Sequence, residues 1–217
     1  MKIEQVDIRI CHFEETVSFY EETLQFQLLS KSEREALFQI GESVLKFIRD
    51  EEIHHYYYHF AFNIHGNLFK EAKAWLQERV ELLVEDGDDE VAFNWMQSWS
   101  CYFEDPAGNI VEFIARSNTS PTTSEKEFSS GNVLGISEIG LSTDSIEDFA
   151  KELAAMGIKV REGDVLHYHT YLNFMGEREG DAYILLGPVG RRWYFSQKLA
   201  IAAPVVIYTN RGVVRME

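Results

Sequence analysis

Cysteine is scarce in this sequence: its 217 residues include only Cys11 and Cys101. Two widely separated cysteines do not make a disulfide framework or a Cys-x-x-Cys metal motif. The first ten residues, MKIEQVDIRI, also lack the hydrophobic segment of a secretory signal peptide. We therefore expect a protein of a reducing compartment and predict a cytoplasmic location.

Positive charge is also in short supply. The chain has 20 lysines and arginines against 36 acidic residues, a formal net charge of −16. This balance argues against binding to nucleic acids or to anionic membranes, because both need a basic surface. Long apolar runs are missing too, since the longest, LAIAAPVVIY, is too short to span a bilayer. The acidity favours solubility, or a field that attracts cationic small molecules.

What the sequence does contain is a repeated pattern of one strand, one helix and three strands. The first copy begins with the alternating segment IEQVDIRI, continues with the helical segment FEETVSFYEETL and ends near residue 48. The second copy begins with YYHFAFNI and ends with NIVEFIA at residue 115. The strand-to-strand spacing gives a period of about fifty residues.

A third copy is predicted after a break in composition. Half of residues 117–132 are Ser or Thr, which is typical of a linker or a long loop. The segments ISEIGLST and SIEDFAKELAAM then restart the pattern, and RRWYFSQKL and APVVIYTN are predicted strands of a tail. The predicted organisation is a two-module domain over 1–116, a linker over 117–132, and a third module with C-terminal strands over 133–217.

Alternation along the first strand of each copy places polar and small side chains on one face. Gln5 aligns with His59 and Glu138, and the same faces carry Arg9, Tyr57 and Asn63. The last strands of the first two copies carry Lys46 and Glu112. A carboxylate within the apolar segment NIVEFIA needs a cation or hydrogen-bond donors. We therefore expect Gln5, Lys46, His59 and Glu112 to meet on the concave side of a curved sheet that encloses a cavity.

The paired units and the segment YFEDPAGNIVEFI resemble the vicinal oxygen chelate superfamily, which includes glyoxalase I, extradiol dioxygenases and bleomycin-resistance proteins. The matching positions in the second unit are Asp105, Pro106, Gly108, Asn109 and Glu112. The resemblance covers residues 1–116 well and 133–190 loosely. It implies an α+β fold of paired βαβββ modules that form a curved mixed sheet around a cavity.

The resemblance also implies a metal site. By carry-over, Gln5, His59 and Glu112 would be ligands of a divalent Fe, Mn, Ni or Zn ion, with Glu112 and Lys46 in catalytic positions. The ion would act as a Lewis acid toward adjacent substrate oxygens. Lys46 departs from the glyoxalase pattern, which has a carboxylate there, and Gln5 replaces a histidine of the dioxygenases. Lys46 could instead pair with Glu112 and remove the need for a metal.

Two functions therefore stay open. The first is a metal-dependent lyase, isomerase or dioxygenase that acts on a small oxygenated substrate, with Lys46 or Arg9 positioning an anionic group. The second is a metal-free protein that binds small molecules, in which Trp95 and Trp99 cover the ligand. Glu138 has no partner that the sequence reveals, so a second metal site there is not expected. The resemblance favours a homodimer.

Overall fold

The computed structural model describes residues 1–177 and 180–217. Within these ranges the chain forms thirteen strands and three α-helices, and the predicted α+β class is confirmed. The strands are β1 Ile3–Ile10, β2 Gln27–Lys31, β3 Glu35–Ile40, β4 Ser43–Arg49, β5 His59–Ile64, β6 Val91–Phe93, β7 Ser98–Glu104, β8 Ile110–Arg116, β9 Val133–Ser142, β10 Asn173–Met175, β11 Tyr183–Gly187, β12 Val205–Thr209 and β13 Gly212–Met216. The helices are α1 Phe13–Ser18, which continues as a π-helical turn, α2 Phe69–Gln77 and α3 Ile146–Ala155.

The first unit lies in a six-stranded sheet that it shares with the tail. The strand order is β13-β12-β1-β4-β3-β2, in which β1 is parallel to β4 and antiparallel to β12. The predicted strand over APVVIYTN is β12. The segment RRWYFSQKL is not a strand; it forms turns with one isolated bridge, between Arg192 and Leu199.

The second and third units share a seven-stranded curved sheet with the order β10-β11-β9-β5-β8-β7-β6. Its central pair is β5 and β9, the first strands of the two units, which run antiparallel. Sequence reasoning paired the first unit with the second, but in the structure these units lie in different sheets. The reason is that the units have similar alternation, so their pattern does not specify which pair of first strands will hydrogen-bond.

The repeat alignment itself is visible in the strand registers. In the first unit Gln5 lies opposite Val44 and Asp7 opposite Lys46. In the second unit His59 lies opposite Ile110 and Ala61 opposite Glu112. Lys46 in β4 and Glu112 in β8 therefore occupy equivalent positions in their units. Lys46 lies in the six-stranded sheet, however, and Glu112 lies in the seven-stranded sheet.

The apolar faces of both sheets and the helices form one continuous core. Its aromatic side chains include Tyr20, which packs on Phe47 with ring centroids 4.8 Å apart, and Phe26, which packs on Phe62 at 5.4 Å. The Ser/Thr-rich segment joins this core, because Phe128 is buried against Trp75. The opposite, concave face of the seven-stranded sheet, here called the cup, is thereby left to polar side chains and to a cavity. No helix in the described ranges has the length and hydrophobicity that crossing a membrane requires.

Candidate metal centre in the cup

His59 begins β5 and is buried on the cup face. Its Nδ1–H donates to the backbone carbonyl of Ile110, 3.1 Å away on the neighbouring strand. This bond fixes the tautomer, so Nε2 is left with a free lone pair. Burial and the nearby positive charge of Arg191 lower the pKa of His59 to about 4. The ring is therefore neutral at physiological pH, which is the form that binds metal ions.

Glu112 lies in the middle of β8 with its carboxylate inside the cup. One oxygen, Oε2, is 3.5 Å from Nε2 of His59, and the side chain is almost completely buried. Burial, and next the negative charge of Glu138, raise the pKa of Glu112 to about 8. Because the neighbouring imidazole is neutral, it supplies no positive charge to the carboxylate. Glu112 is therefore a buried acid that a cation would stabilise in its charged form.

Glu138, on β9, completes the group. Ala61 of β5 lies opposite Glu112 on one side and opposite Glu138 on the other, so the two glutamates flank a single small residue. One ligand atom from each of His59, Glu112 and Glu138 can be chosen so that all three lie within 4.8 Å of one another. Glu138 is also ion-paired with the buried guanidinium of Arg116. Burial raises the pKa of Glu138.

The sequence reveals no partner for Glu138, and the structure supplies one by placing Glu138 in the same group as His59 and Glu112. The repeat alignment already contained a signal, since Glu138 corresponds to His59 in the third unit. The sequence pattern predicts instead that the first two units build the cup. The antiparallel pairing of β5 with β9 brings the third unit there instead.

The three side chains line a cavity of about 320 Å³ whose remaining wall is mostly aromatic. The ring of Trp193, from the turn segment after β11, lies 4.9 Å from the ring of His59. Gly140 makes this approach possible, because a Cβ atom there would lie 2.8 Å from the Trp193 ring. Other lining residues are Phe93, Trp95, Met96, Tyr102, Tyr171, Leu172, Phe174, Leu185, Arg191 and Tyr194.

Three of the predicted site residues lie in the six-stranded sheet and not in the cup. The Nε2 of Gln5 donates to Asp7 at 2.6 Å. Lys46 pairs with Glu35 at 2.5 Å, and so the alternative pair of Lys46 with Glu112 is not formed. Arg9 is an exposed residue of β1. The reason is topological, since β1 pairs with β4 and with the tail strand β12, and β4 pairs with β3.

The other predicted residues belong to the second unit, but the structure brings only Trp95 to the cavity beside His59 and Glu112. The hydroxyl of Tyr57 donates to the carbonyl of Leu199 at 2.6 Å, which ties the tail to the segment just before β5. Asn63 is buried and accepts a hydrogen bond from Ser120 at 2.8 Å. Trp99 packs on Phe69 of α2, outside the cup.

Comparison with solved structures identifies the fold. A glyoxalase I variant from Zea mays superposes with a TM-score of 0.55 over 92% of this chain and 70% of its own, at 15% identity. A candidate dioxygenase from Bacillus subtilis gives a TM-score of 0.57 over 86% of this chain and 63% of its own, also at 15% identity. The chain has the vicinal oxygen chelate fold. The predicted fold family is confirmed, and at this identity the likeness concerns the fold alone.

One part of the chain also matches a sequence family. Residues 136–191 match the toxoflavin-degrading enzyme family. The matched segment is about a quarter of the chain; it begins just before Glu138 and ends at Arg191. It therefore falls on the unit whose resemblance to the superfamily was weaker in the sequence. No curated protein matches the sequence as a whole.

Proposed function

We propose that the protein is a metal-dependent enzyme that acts on a planar, oxygenated heteroaromatic compound. The observation that carries the proposal is the buried group of His59, Glu112 and Glu138 at the base of an aromatic cavity. Glu138 is paired with Arg116, but Glu112 has only a neutral imidazole and a second carboxylate beside it, so its charged form is unfavourable without a further cation. A divalent ion removes this penalty.

The donor set fits such an ion. His59 would offer Nε2, while Glu112 and Glu138 would each offer a carboxylate oxygen. One imidazole with two carboxylates is a hard donor set, which favours Mn²⁺ or Fe²⁺, although Zn²⁺ and Ni²⁺ can also bind imidazole and carboxylate. When bound, the ion would supply Lewis acidity to adjacent oxygens of the substrate.

The remaining residues of the cavity would bind and orient the substrate. Trp193 and Tyr194 present rings on which a flat molecule can stack. Arg191 also lines the cavity, and its Nη1 donates to the backbone carbonyl of Arg192 at 3.1 Å. Its guanidinium can stabilise negative charge that develops on a substrate oxygen. The aromatic wall excludes water, which strengthens that interaction.

The substrate class rests on two further facts. The matched sequence family is named for degradation of toxoflavin, and the cavity of about 320 Å³ is at the small end of the range for ligand sites. A small planar ring system suits both. The reaction type, whether lyase, isomerase or dioxygenase, is left to experiment.

The first test is the metal content of protein purified without a chelator or a histidine tag. We expect near-stoichiometric metal in the wild type and less than a tenth of it in His59→Ala, Glu112→Gln and Glu138→Gln. Glu35→Gln is the matched control, because it removes a carboxylate from the other sheet. The metal-loaded protein is then incubated with toxoflavin in air and without oxygen, and the absorbance of the ring is followed. Equal metal in all four variants, or none after incubation with Mn²⁺, Fe²⁺, Ni²⁺ and Zn²⁺, would overturn the proposal.

A metal-free binding protein of the bleomycin-resistance type is the second candidate. It is favoured by the ion pair of Glu138 with Arg116 and by the raised pKa of Glu112, which together allow a neutral site without metal. Binding of a planar compound with unchanged affinity after chelation would support it. The cytoplasmic location and the homodimer stay predictions; light scattering in solution would test the dimer.

A further inference from the structure

A second, polar cleft lies beside the aromatic cavity. Its volume is about 830 Å³, and Trp95 and Met96 line both spaces. Arg116 and Arg161 line the polar cleft together with Thr119 and Asp164. A ligand seated in the cup could therefore extend into the polar cleft, past the side chain of Trp95.

Arg116 connects the two spaces. Its side chain is 3% exposed and its Nη2 pairs with Glu138 of the proposed metal group. Its Nη1 has only long contacts, 3.4 Å to Asn63 and 3.4 Å to the carbonyl of Asp181. Its Nε–H is buried and has no hydrogen-bond partner among the described residues. A buried donor without a partner is rare in a native protein, and it is available to an acceptor that enters the site.

Two more residues that line the same cleft carry donors. The hydroxyl of Thr119 is buried and likewise lacks a hydrogen-bond partner in the described part of the chain. The guanidinium of Arg161 lies over the ring of Trp95 at 4.3 Å and pairs with Asp164 at 2.7 Å. Two guanidinium groups and an unpartnered hydroxyl form a set of donors that suits an oxyanion.

The charge balance favours the same ligand. Without metal, the charge of Arg116 is balanced by Glu138. The carboxylates of Glu112 and Glu138 would then balance the charge of a divalent ion bound to them and to His59. The buried positive charge of Arg116 would be balanced less completely by Glu138. Such a charge is costly unless an anion pairs with it.

We propose that this cleft is an oxyanion-binding subsite, in which Arg116, Thr119 and Arg161 bind a carboxylate, sulfate or phosphate group. The part of this inference that concerns metal-loaded protein rests on the proposed function. The oxyanion is either carried by the substrate or bound as a separate ion. In both cases the binding of metal and of oxyanion strengthen each other, because linkage is reciprocal.

The test is calorimetric titration of chelator-treated and metal-loaded protein with sulfate. We expect binding in both forms, at least five-fold tighter in the metal-loaded form. Arg161→Met and Thr119→Val should weaken it at least ten-fold and three-fold, respectively, with circular dichroism unchanged. Lys126→Met is the control, because it removes a positive charge from an exposed position of the Ser/Thr-rich segment. Failure of sulfate to bind the wild type, or equal binding by the Arg161 and Thr119 variants, would overturn the subsite.

A second titration separates the two sources of the oxyanion. Metal-loaded protein is titrated with 3,4-dihydroxybenzoate and with 3,4-dihydroxybenzamide, which differ only in the charged group. A ten-fold preference for the benzoate that Arg161→Met abolishes supports an oxyanion on the substrate. Equal binding of both compounds, with sulfate still binding to either complex, supports a separate ion. A protein that binds sulfate as expected but takes up no metal would overturn the proposed function and leave the subsite standing.

Discussion

At the scale of single residues, burial shifts the pKa values of Glu112 and His59 in opposite directions, because it disfavours the charged form of each side chain. Burial keeps the His59 ring neutral, with its pKa lowered to about 4, and it keeps a proton on Glu112, with its pKa raised to about 8. Each shift means that the folded protein resists the charged form of the group. A metal ion resolves both, because it binds the neutral imidazole and the ionised carboxylate.

These shifts predict how the metal-free protein responds to pH. Between pH 4.5 and 8 the unfolded chain releases the Glu112 proton while the folded chain keeps it, so stability falls as pH rises. His59 affects stability at lower pH. The free energy of unfolding falls as pH drops from 6.5 to 4, because the unfolded chain takes up a proton on His59 that the folded chain excludes. We expect urea denaturation to show a net loss of about 1 to 2 kcal/mol between pH 5.5 and 8, because the loss of about 3 kcal/mol from Glu112 is partly offset by the gain from His59 below pH 6.5. Glu112→Gln should lose distinctly less, and identical pH profiles would contradict the assignment.

At the scale of secondary-structure elements, the turn between β3 and β4 joins the two sheets. Gly41 has a positive φ of 55°, and the N–H of Glu42 donates to the carbonyl of Leu134, just after the start of β9, at 2.9 Å. A Cβ atom on Gly41 would overlap the backbone of Leu134. The turn therefore sets the position of the strand that carries Glu138.

Gly41→Ala is expected to destabilise the protein by about 3 kcal/mol or more, from overpacking against backbone and from the strained φ. Gly87→Ala is the matched control. Gly87 also has a positive φ, 93°, but a Cβ atom there would meet no atom within 4 Å. It should cost only about 1 kcal/mol. Equal losses of unfolding free energy in the two variants would show that the contact with Leu134 has no energetic role.

At the scale of the whole molecule, one apolar core extends across both sheets. The four tryptophans report on only part of it, because Trp75, Trp95, Trp99 and Trp193 all belong to the second unit or to the tail segment over the cup. Circular dichroism reports on every strand and helix. The two signals together can therefore distinguish one cooperative unit from two.

We expect tryptophan fluorescence and circular dichroism to give the same denaturation midpoint. Both midpoints should rise together when Mn²⁺ is added, by an amount that corresponds to about 2.7 kcal/mol at a hundred times the dissociation constant. Glu138→Gln should not respond to the metal. Midpoints that separate, with only the fluorescence shifted by metal, would mean that the six-stranded sheet unfolds independently.

The sequence by itself determined the βαβββ units, the superfamily resemblance, and two of the three residues in the candidate metal group. Alternation and the motif around Asp105, Asn109 and Glu112 were enough, because local periodicity and turn residues are properties of a few neighbouring positions. The third member, Glu138, and the separation of Gln5 and Lys46 from the cup were decided by the tertiary structure alone. Strand pairing between repeats depends on which edges meet, and similar units carry similar patterns on every candidate edge.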